Sequence, residues 1–129
     1  MRVYLDAAPV IYTVEHVAPY AAAVDARLAA PGVELVTSDL TRLECRVKPL
    51  RAGDTALLQD FDDYFDGAIA DVIALSREVI DRATEIRATH GFKTPDAIHL
   101  AAALQAHCDL FLTNDHQLDR FSGIRVEVV

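Results

Sequence analysis

Lys93-Thr94-Pro95-Asp96-Ala97-Ile98-His99-Leu100-Ala101-Ala102-Ala103, followed after residues 104–109 by Leu110-Phe111-Leu112-Thr113-Asn114-Asp115, carries the decisive pattern of this 129-residue chain. Thr94 is a good N-cap type, and Pro95 suits a first helical position, where its missing N–H costs nothing. The Ala- and Leu-rich run behind them predicts a helix reaching His107. Leu110 to Thr113 predicts a short buried strand, and Asn114-Asp115 reads as turn chemistry. A helix that delivers the chain into an apolar strand is the unit of an α/β fold.

The same alternation extends in both directions. Arg2 to Leu5 predicts a strand, and Ala7 to Glu15 a helix with Pro9 in its first turn and Val10, Ile11 and Val14 at helical spacing. A second helix, Ala18 to Ala30, stops at Pro31-Gly32, and Val33 to Thr37 forms the next strand. Ser38 or Asp39 caps a helix through Val47 that Pro49 ends. Gly53 to Asp66 forms another, with Leu57, Leu58, Phe61 and Phe65 on its apolar side. Asp71 to Leu75 is a brief strand, Ser76 caps a helix through His90, and Arg125 to Val129 supplies the last strand. Helices alternating with about five short apolar strands predict an α/β domain with a mostly parallel central sheet.

Composition sets outer bounds. Twenty Asp and Glu against 12 Lys and Arg give a net charge of −8, and 52% of residues are hydrophobic. That is enough apolar material for one core over residues 1–129, and it excludes a disordered chain. The longest stretch free of formal charge, Ala97 to Cys108, is too short for a membrane span. Asp6 and Glu15 break any signal-peptide pattern, so a cytoplasmic protein is expected. Cys45 and Cys108 stand apart, without Cys-x-x-Cys spacing, and read as small buried hydrophobes rather than zinc ligands. The acidic balance excludes a non-specific nucleic-acid coat, which requires clustered Lys and Arg.

In a parallel sheet with right-handed crossovers, the carboxyl ends of strands and the amino ends of helices share one edge. Asp6 and Asp115 follow predicted strands, Glu44 lies in the second turn of a helix entered from a strand, and Asp96 lies in the first turn of another. All four belong to the edge where open α/β folds bind ligands, whereas Asp109 belongs to the opposite one. Leu40, Leu43 and Val47 define an apolar stripe that turns Glu44 inward. Each of Asp6, Asp96 and Asp115 also has a plain reading as a helix cap, first-turn acid or turn residue. Converging carboxylates without matched cations repel one another, and a hard divalent cation such as Mg²⁺ or Mn²⁺ resolves that conflict. Such an ion activates water and polarises a phosphoryl oxygen, which points to phosphodiester hydrolysis.

At Val3-Tyr4-Leu5-Asp6, Leu40-Thr41-Arg42-Leu43-Glu44, Lys93 to Ala103 and Phe111-Leu112-Thr113-Asn114-Asp115, the sequence resembles the PIN domain family. Within that family it is similar to the VapC-type toxin ribonucleases of prokaryotic toxin–antitoxin pairs, along essentially the whole chain. The resemblance implies a three-layer α/β/α sandwich and an acidic Mg²⁺ or Mn²⁺ site that cuts RNA to leave a 5′-phosphate. It also implies a homodimer and a cognate antitoxin that wraps the toxin and blocks its cleft. Asp6, Glu44, Asp96 and Asp115 match the family's acidic quartet, with Asp6 and Asp96 holding the metal most directly. Thr113 and Asn114 match the residues that orient the last acid. Ala7-Ala8 depart from the pattern, because many relatives carry a hydroxyl residue directly after the first Asp.

Two other classes fit less well. A receiver or haloacid-dehalogenase-type phosphoryl-transfer domain also places Asp at a strand end, but Ala8 stands where an Asp-x-Asp motif needs its second acid, and no Lys ends a late strand. A PIN-like interaction module with lapsed chemistry would not need the full quartet. Asp60, Asp62, Asp63 and Asp66 read as a solvated helix face. His99 and His107, amid Ala and Leu, read as packed or exposed residues rather than bases, and Tyr4, Tyr12 and Tyr20 as packing residues. Lys93, Arg42 and Arg46 stand near the acidic edge and are the candidates for contacting RNA phosphates.

Overall fold

Side-chain alternation along the strands builds the layers. The computed structural model describes residues 1–129. Its strands are β1 (Arg2–Leu5), β2 (Glu34–Ser38), β3 (Asp71–Ile73), β4 (Leu110–Thr113) and β5 (Arg125–Val128). They pair in the order β3-β2-β1-β4-β5, every pair parallel. The helices are α1 (Ala7–Val14), α2 (Tyr20–Leu28), α3 (Asp39–Ala52), α4 (Thr55–Gly67), α5 (Arg77–His90) and α6 (Thr94–Gln105). Val3 and Leu5 of β1 and Leu110 and Leu112 of β4 face one way, onto Val10, Val24, Cys45, Phe61 and Phe65 of α1 to α4. Tyr4 and Phe111 face the other way, onto Val79, Ala83 and Ile86 of α5 and the alanines of α6. The result is the expected α/β/α sandwich.

The chain runs from β1 outward to β3 and then returns to place β4 on the other side of β1, so the order reverses between β1 and β4. That reversal is where an open parallel sheet leaves a crevice at its carboxyl edge. Asp6 directly follows β1, and Asp115 lies two residues past β4. Backbone bonds tie the two strand ends together, with Asp6 N–H donating to Leu112 O at 3.0 Å.

Helix α3 differs from the sequence expectation in two ways. Pro49 does not end it: the helix continues to Ala52, and Gly53, at φ 65°, closes it in the left-handed region with its N–H on Leu50 O. A proline in the last turn removes one helical donor yet leaves the remaining carbonyls free to be capped. The buried face is also not the Leu40, Leu43, Val47 stripe; it is Thr41, Cys45 and Pro49, while Leu43, Val47 and Leu50 are exposed. The small residues win this contest because they let α3 approach the end of β1, with the Thr41 hydroxyl donating to Leu5 O and Cys45 Sγ 3.9 Å from Ala7 O.

Smaller differences concern the caps. Lys93, not Thr94, occupies the N-cap of α6, with no side-chain bond, and Thr94 is already helical. Asp54 caps α4 by accepting from Leu57 N–H, so Gly53 precedes that helix. Ser76 caps α5 as expected, accepting from Val79 N–H. A 3-10 turn at His116–Arg120, not anticipated from the sequence, follows β4 and is capped by Asp115.

Candidate functional site

Asp6 reaches the carboxyl edge because β1 ends at Leu5 and α1 begins at Ala7, leaving one residue to turn the chain. Its Oδ1 accepts from Ala7 N–H at 2.8 Å and caps α1, so the plain reading of this residue holds. Its Oδ2 accepts from the Thr113 hydroxyl at 2.7 Å. Thr113, fully buried, in turn accepts from Asp115 N–H at 3.1 Å. One hydroxyl therefore fixes the rotamer of the first acid and the backbone of the last. Asp115 Oδ1 is engaged by Gln117 N–H at 2.9 Å.

Glu44 comes from the second turn of α3, with its side chain one-third exposed. Its partner is neither Lys nor Arg but His99, whose Nε2 lies 2.5 Å from Glu44 Oε1 and 3.3 Å from Asp6 Oδ1. The candidate ligand atoms of Asp6, Glu44 and His99 all lie within 4.8 Å of one another. His99 is buried in α6, one turn beyond Asp96, and its Nδ1 lies 2.7 Å from the Tyr4 hydroxyl. Tyr4 donates to Ser38 Oγ at 2.8 Å, has Thr41 Oγ1 at 3.4 Å and stacks on Phe111. Because side chains alternate along β1, Tyr4 faces α6 while its neighbour Leu5 faces α1 to α4. That geometry brings Tyr4 beneath the histidine.

Charge perturbations follow from this crowding. Asp96 sits in the first turn of α6, half-buried, and its carboxyl is held above the usual range by burial first, then by the charges of Asp6 and Asp115. His99 and Lys93 oppose that shift. Burial alone would lower His99, yet the contact with Glu44 and the charges of Asp6, Glu44 and Asp96 outweigh it and raise it. Burial likewise raises Tyr4 and Cys45, which keeps both protonated. Their neighbours Asp6 and Glu44 add to the effect.

The structure thus gathers Asp6, Glu44 and His99 directly and couples Asp96 and Asp115 to them electrostatically. His99 was read from the sequence as a packed or exposed residue; it is packed, and it also faces two carboxylates. The available signal was its position three residues after Asp96, which places both on one helix face, as the only polar side chain between Ala97 and Leu104. Asn114 departs from expectation: its amide donates to the Tyr12 hydroxyl at 3.1 Å rather than orienting Asp115. The short polar loop carries its side chain toward α1, where Tyr12 stacks on Tyr20.

Arg42 and Arg46 also differ from expectation. Arg46 Nε lies 2.9 Å and Arg42 NH2 3.7 Å from Asp62 Oδ1, so both guanidinium groups answer an acid of α4 rather than standing free for phosphate. Asp62 is correspondingly half-buried instead of solvated, whereas Asp60, Asp63 and Asp66 are exposed. Lys93 remains exposed beside Asp96.

Known structures share this architecture. A VapBC2 toxin–antitoxin structure from Rickettsia felis, bound to a DNA fragment from its promoter, aligns with TM-score 0.78 at 15% identity, covering 99% of this chain and 98% of the other. A toxin–antitoxin complex from Klebsiella pneumoniae aligns with TM-score 0.75 at 20% identity, covering 98% and 96%. VapC20 from Mycobacterium tuberculosis, a toxin that cleaves the sarcin–ricin loop, aligns with TM-score 0.69 at 12% identity, covering 94% and 90%. A comparison with curated protein sequences gave no match. At these identities the structures establish the fold, and sequence-profile comparison supplies the family: residues 3–124 match the PIN domain. This chain belongs to the PIN domain family.

Proposed function

We propose that this chain is a divalent-cation-dependent endoribonuclease, the toxin of a toxin–antitoxin pair. The observation that carries the reading is the convergence of Asp6, Glu44 and His99 at the sheet's reversal point, with Asp96 and Asp115 electrostatically coupled to them. The donor set fits a divalent ion: partly buried carboxylates crowd together, no Lys or Arg bridges them, and one, Asp96, is held above its normal range by burial and then by the charges of Asp6 and Asp115. Asp6, Glu44, Asp96 and Asp115 would hold Mg²⁺ or Mn²⁺. When bound, that ion supplies charge neutralisation at the phosphodiester and activation of water.

The chain's own groups do the rest. Thr113 and the Ala7 N–H hold Asp6 from two sides, so its carboxylate is oriented before any ligand arrives. Gln117 N–H does the same for Asp115. Lys93 stands at the mouth and contacts an RNA phosphate. With Ala7-Ala8 where many relatives carry a hydroxyl residue directly after the first Asp, the one side-chain polar group on Asp6 other than His99 is the Thr113 hydroxyl. Because the similar Rickettsia and Klebsiella structures are toxin–antitoxin assemblies, an antitoxin is the expected partner, and the cleft's negative charge suits a basic antitoxin segment. A homodimer is the expected state of the free toxin.

Cleavage of a structured RNA by wild type, Asp6→Asn and Asp96→Asn, each with Mg²⁺, Mn²⁺ or chelator, tests the reading. Each substitution is expected to lower the rate by about 100-fold or more, as is chelation. Equal cleavage in all arms refutes it.

A further inference from the structure

The hydrogen-bond directions around His99 carry a conclusion about the cation site. Tyr4 has one hydroxyl proton and directs it to Ser38 Oγ at 2.8 Å. Ser38 Oγ also accepts from Leu40 N–H at 3.2 Å. At 2.7 Å from His99 Nδ1, the Tyr4 oxygen is therefore the acceptor and Nδ1 carries a proton. In the neutral ring this leaves Nε2 with a bare lone pair. That lone pair is buried, and it faces Glu44 Oε1 at 2.5 Å and Asp6 Oδ1 at 3.3 Å. Three electron-rich atoms turned toward one point require an electrophile between them.

A proton would satisfy the trio with one positive charge. The carboxylates of Asp6, Glu44 and Asp96 all act on the ring, however, and a divalent cation supplies twice that charge and uses all three donors at once. Neighbouring ligands of such an ion stand about 3 Å apart, and opposite ones about 4.2 Å. The three donors lie within 4.8 Å of one another, and at 2.5 Å the Nε2–Oε1 pair must open by roughly 0.5 Å for an ion to replace the proton between them. Tyr4 supports the ring as an outer partner supports a metal-bound imidazole, by fixing its tautomer and plane through the other nitrogen.

We infer that His99 Nε2 is itself a ligand, with Asp6 and Glu44, in a mixed nitrogen–oxygen site selective for Mn²⁺ and later first-row divalent ions over Mg²⁺. The inference rests on the cation-dependent reading above and extends it to a ligand outside the acidic quartet. An imidazole donor adds little for Mg²⁺, which favours oxygen and holds its waters, and adds affinity along the series from Mn²⁺ upward.

Calorimetric titration of the folded protein with Mn²⁺ and with Mg²⁺, combined with pulsed electron paramagnetic resonance of the Mn²⁺ complex, tests this. Wild type is expected to bind Mn²⁺ at least about 10-fold more tightly than Mg²⁺ and to show ¹⁴N modulation from a coordinated imidazole. His99→Gln is expected to lose the modulation and at least about 10-fold in Mn²⁺ affinity, with a smaller change for Mg²⁺. Tyr4→Phe keeps the stacked ring but removes the acceptor for Nδ1–H; it should weaken Mn²⁺ while retaining the nitrogen signal. Should His99→Gln fail to fold, a variant carrying His16→Asn, His90→Gln, His107→Asn and His116→Gln, which leaves His99 as the one imidazole, must still show the wild-type modulation.

Mn²⁺ binding that Asp6→Asn abolishes, but without nitrogen modulation in wild type, overturns the inference and leaves the cation-dependent reading standing. Absence of Mn²⁺ binding, or binding indifferent to Asp6→Asn, overturns both.

Discussion

Thr113 shows how much one hydroxyl can organise. It donates to Asp6 Oδ2 and accepts from Asp115 N–H, so the ends of β1 and β4 are joined through a single buried oxygen. Thr113→Val preserves shape but leaves a partly buried carboxylate short of a donor and an amide without an acceptor. The expected cost is about 1–3 kcal/mol in urea unfolding, together with a cleavage rate about 10-fold or more lower. Protonation gives a second prediction. The fold raises both Asp96 and His99, so in each case it favours the protonated form. For His99, that stability is complete below the unfolded imidazole value and is lost as pH rises through its folded value. For Asp96 the same sign applies, starting from the carboxylate range. The chelated protein should therefore melt at progressively lower temperature from about pH 5 to pH 8, and Mn²⁺ should raise Tm more at pH 8 than at pH 5. A flat profile with equal metal effects would contradict these assignments. The strand-end acids were legible because chain direction alone assigns them an edge. His99 was not, since a histidine among alanines looks the same whether its nitrogens meet solvent, backbone or carboxylate.

At the scale of elements, α3 shows what periodicity leaves open. Leu40, Leu43 and Val47 and Thr41, Cys45 and Pro49 are both acceptable helix faces, roughly 170° apart at 3.6 residues per turn, and hydrophobicity favours the first. Close approach decides for the second, because the end of β1 leaves room only for small side chains. Leu43 and Leu50, at 58% and 64% exposure, should then be nearly irrelevant to the isolated fold. Leu43→Ala with Leu50→Ala is expected to shift unfolding by no more than about 0.5 kcal/mol, whereas Phe61→Ala in α4 should cost about 3–5 kcal/mol. Denaturant unfolding distinguishes the two, and comparable losses would mean that α3 is packed on its leucine face. Strands β1 and β4 are legible to the residue, because three or four consecutive buried apolar or small residues leave little choice. A cap is decided by one backbone angle, as at Lys93.

Across the whole molecule, the parallel sheet and its layers were legible from the alternation of apolar strands and amphipathic helices. The strand order was not, because nothing in a short apolar run names its neighbours. Charge, too, acts at this scale. The net −8 leaves few cations for RNA, and Arg42 and Arg46 are further withdrawn by Asp62. RNA binding should accordingly show a shallow salt dependence and require a divalent ion. Lys93→Ala is expected to weaken it uniformly across sequences and to reduce the salt slope by about 1, measured by fluorescence anisotropy over a salt series. An unchanged slope would remove Lys93 from the interface.

Asp6 belongs at once to two structures: Oδ1 closes the first turn of α1 through the Ala7 amide, and the same atom faces His99 across the cleft. Any ligand drawing on Oδ1 competes with that cap for electron density, so occupancy of the cleft is transmitted to the fraying of a helix end. The Ala7 amide is in effect a built-in gauge of loading, attached to the outer helical layer rather than to the chemistry itself.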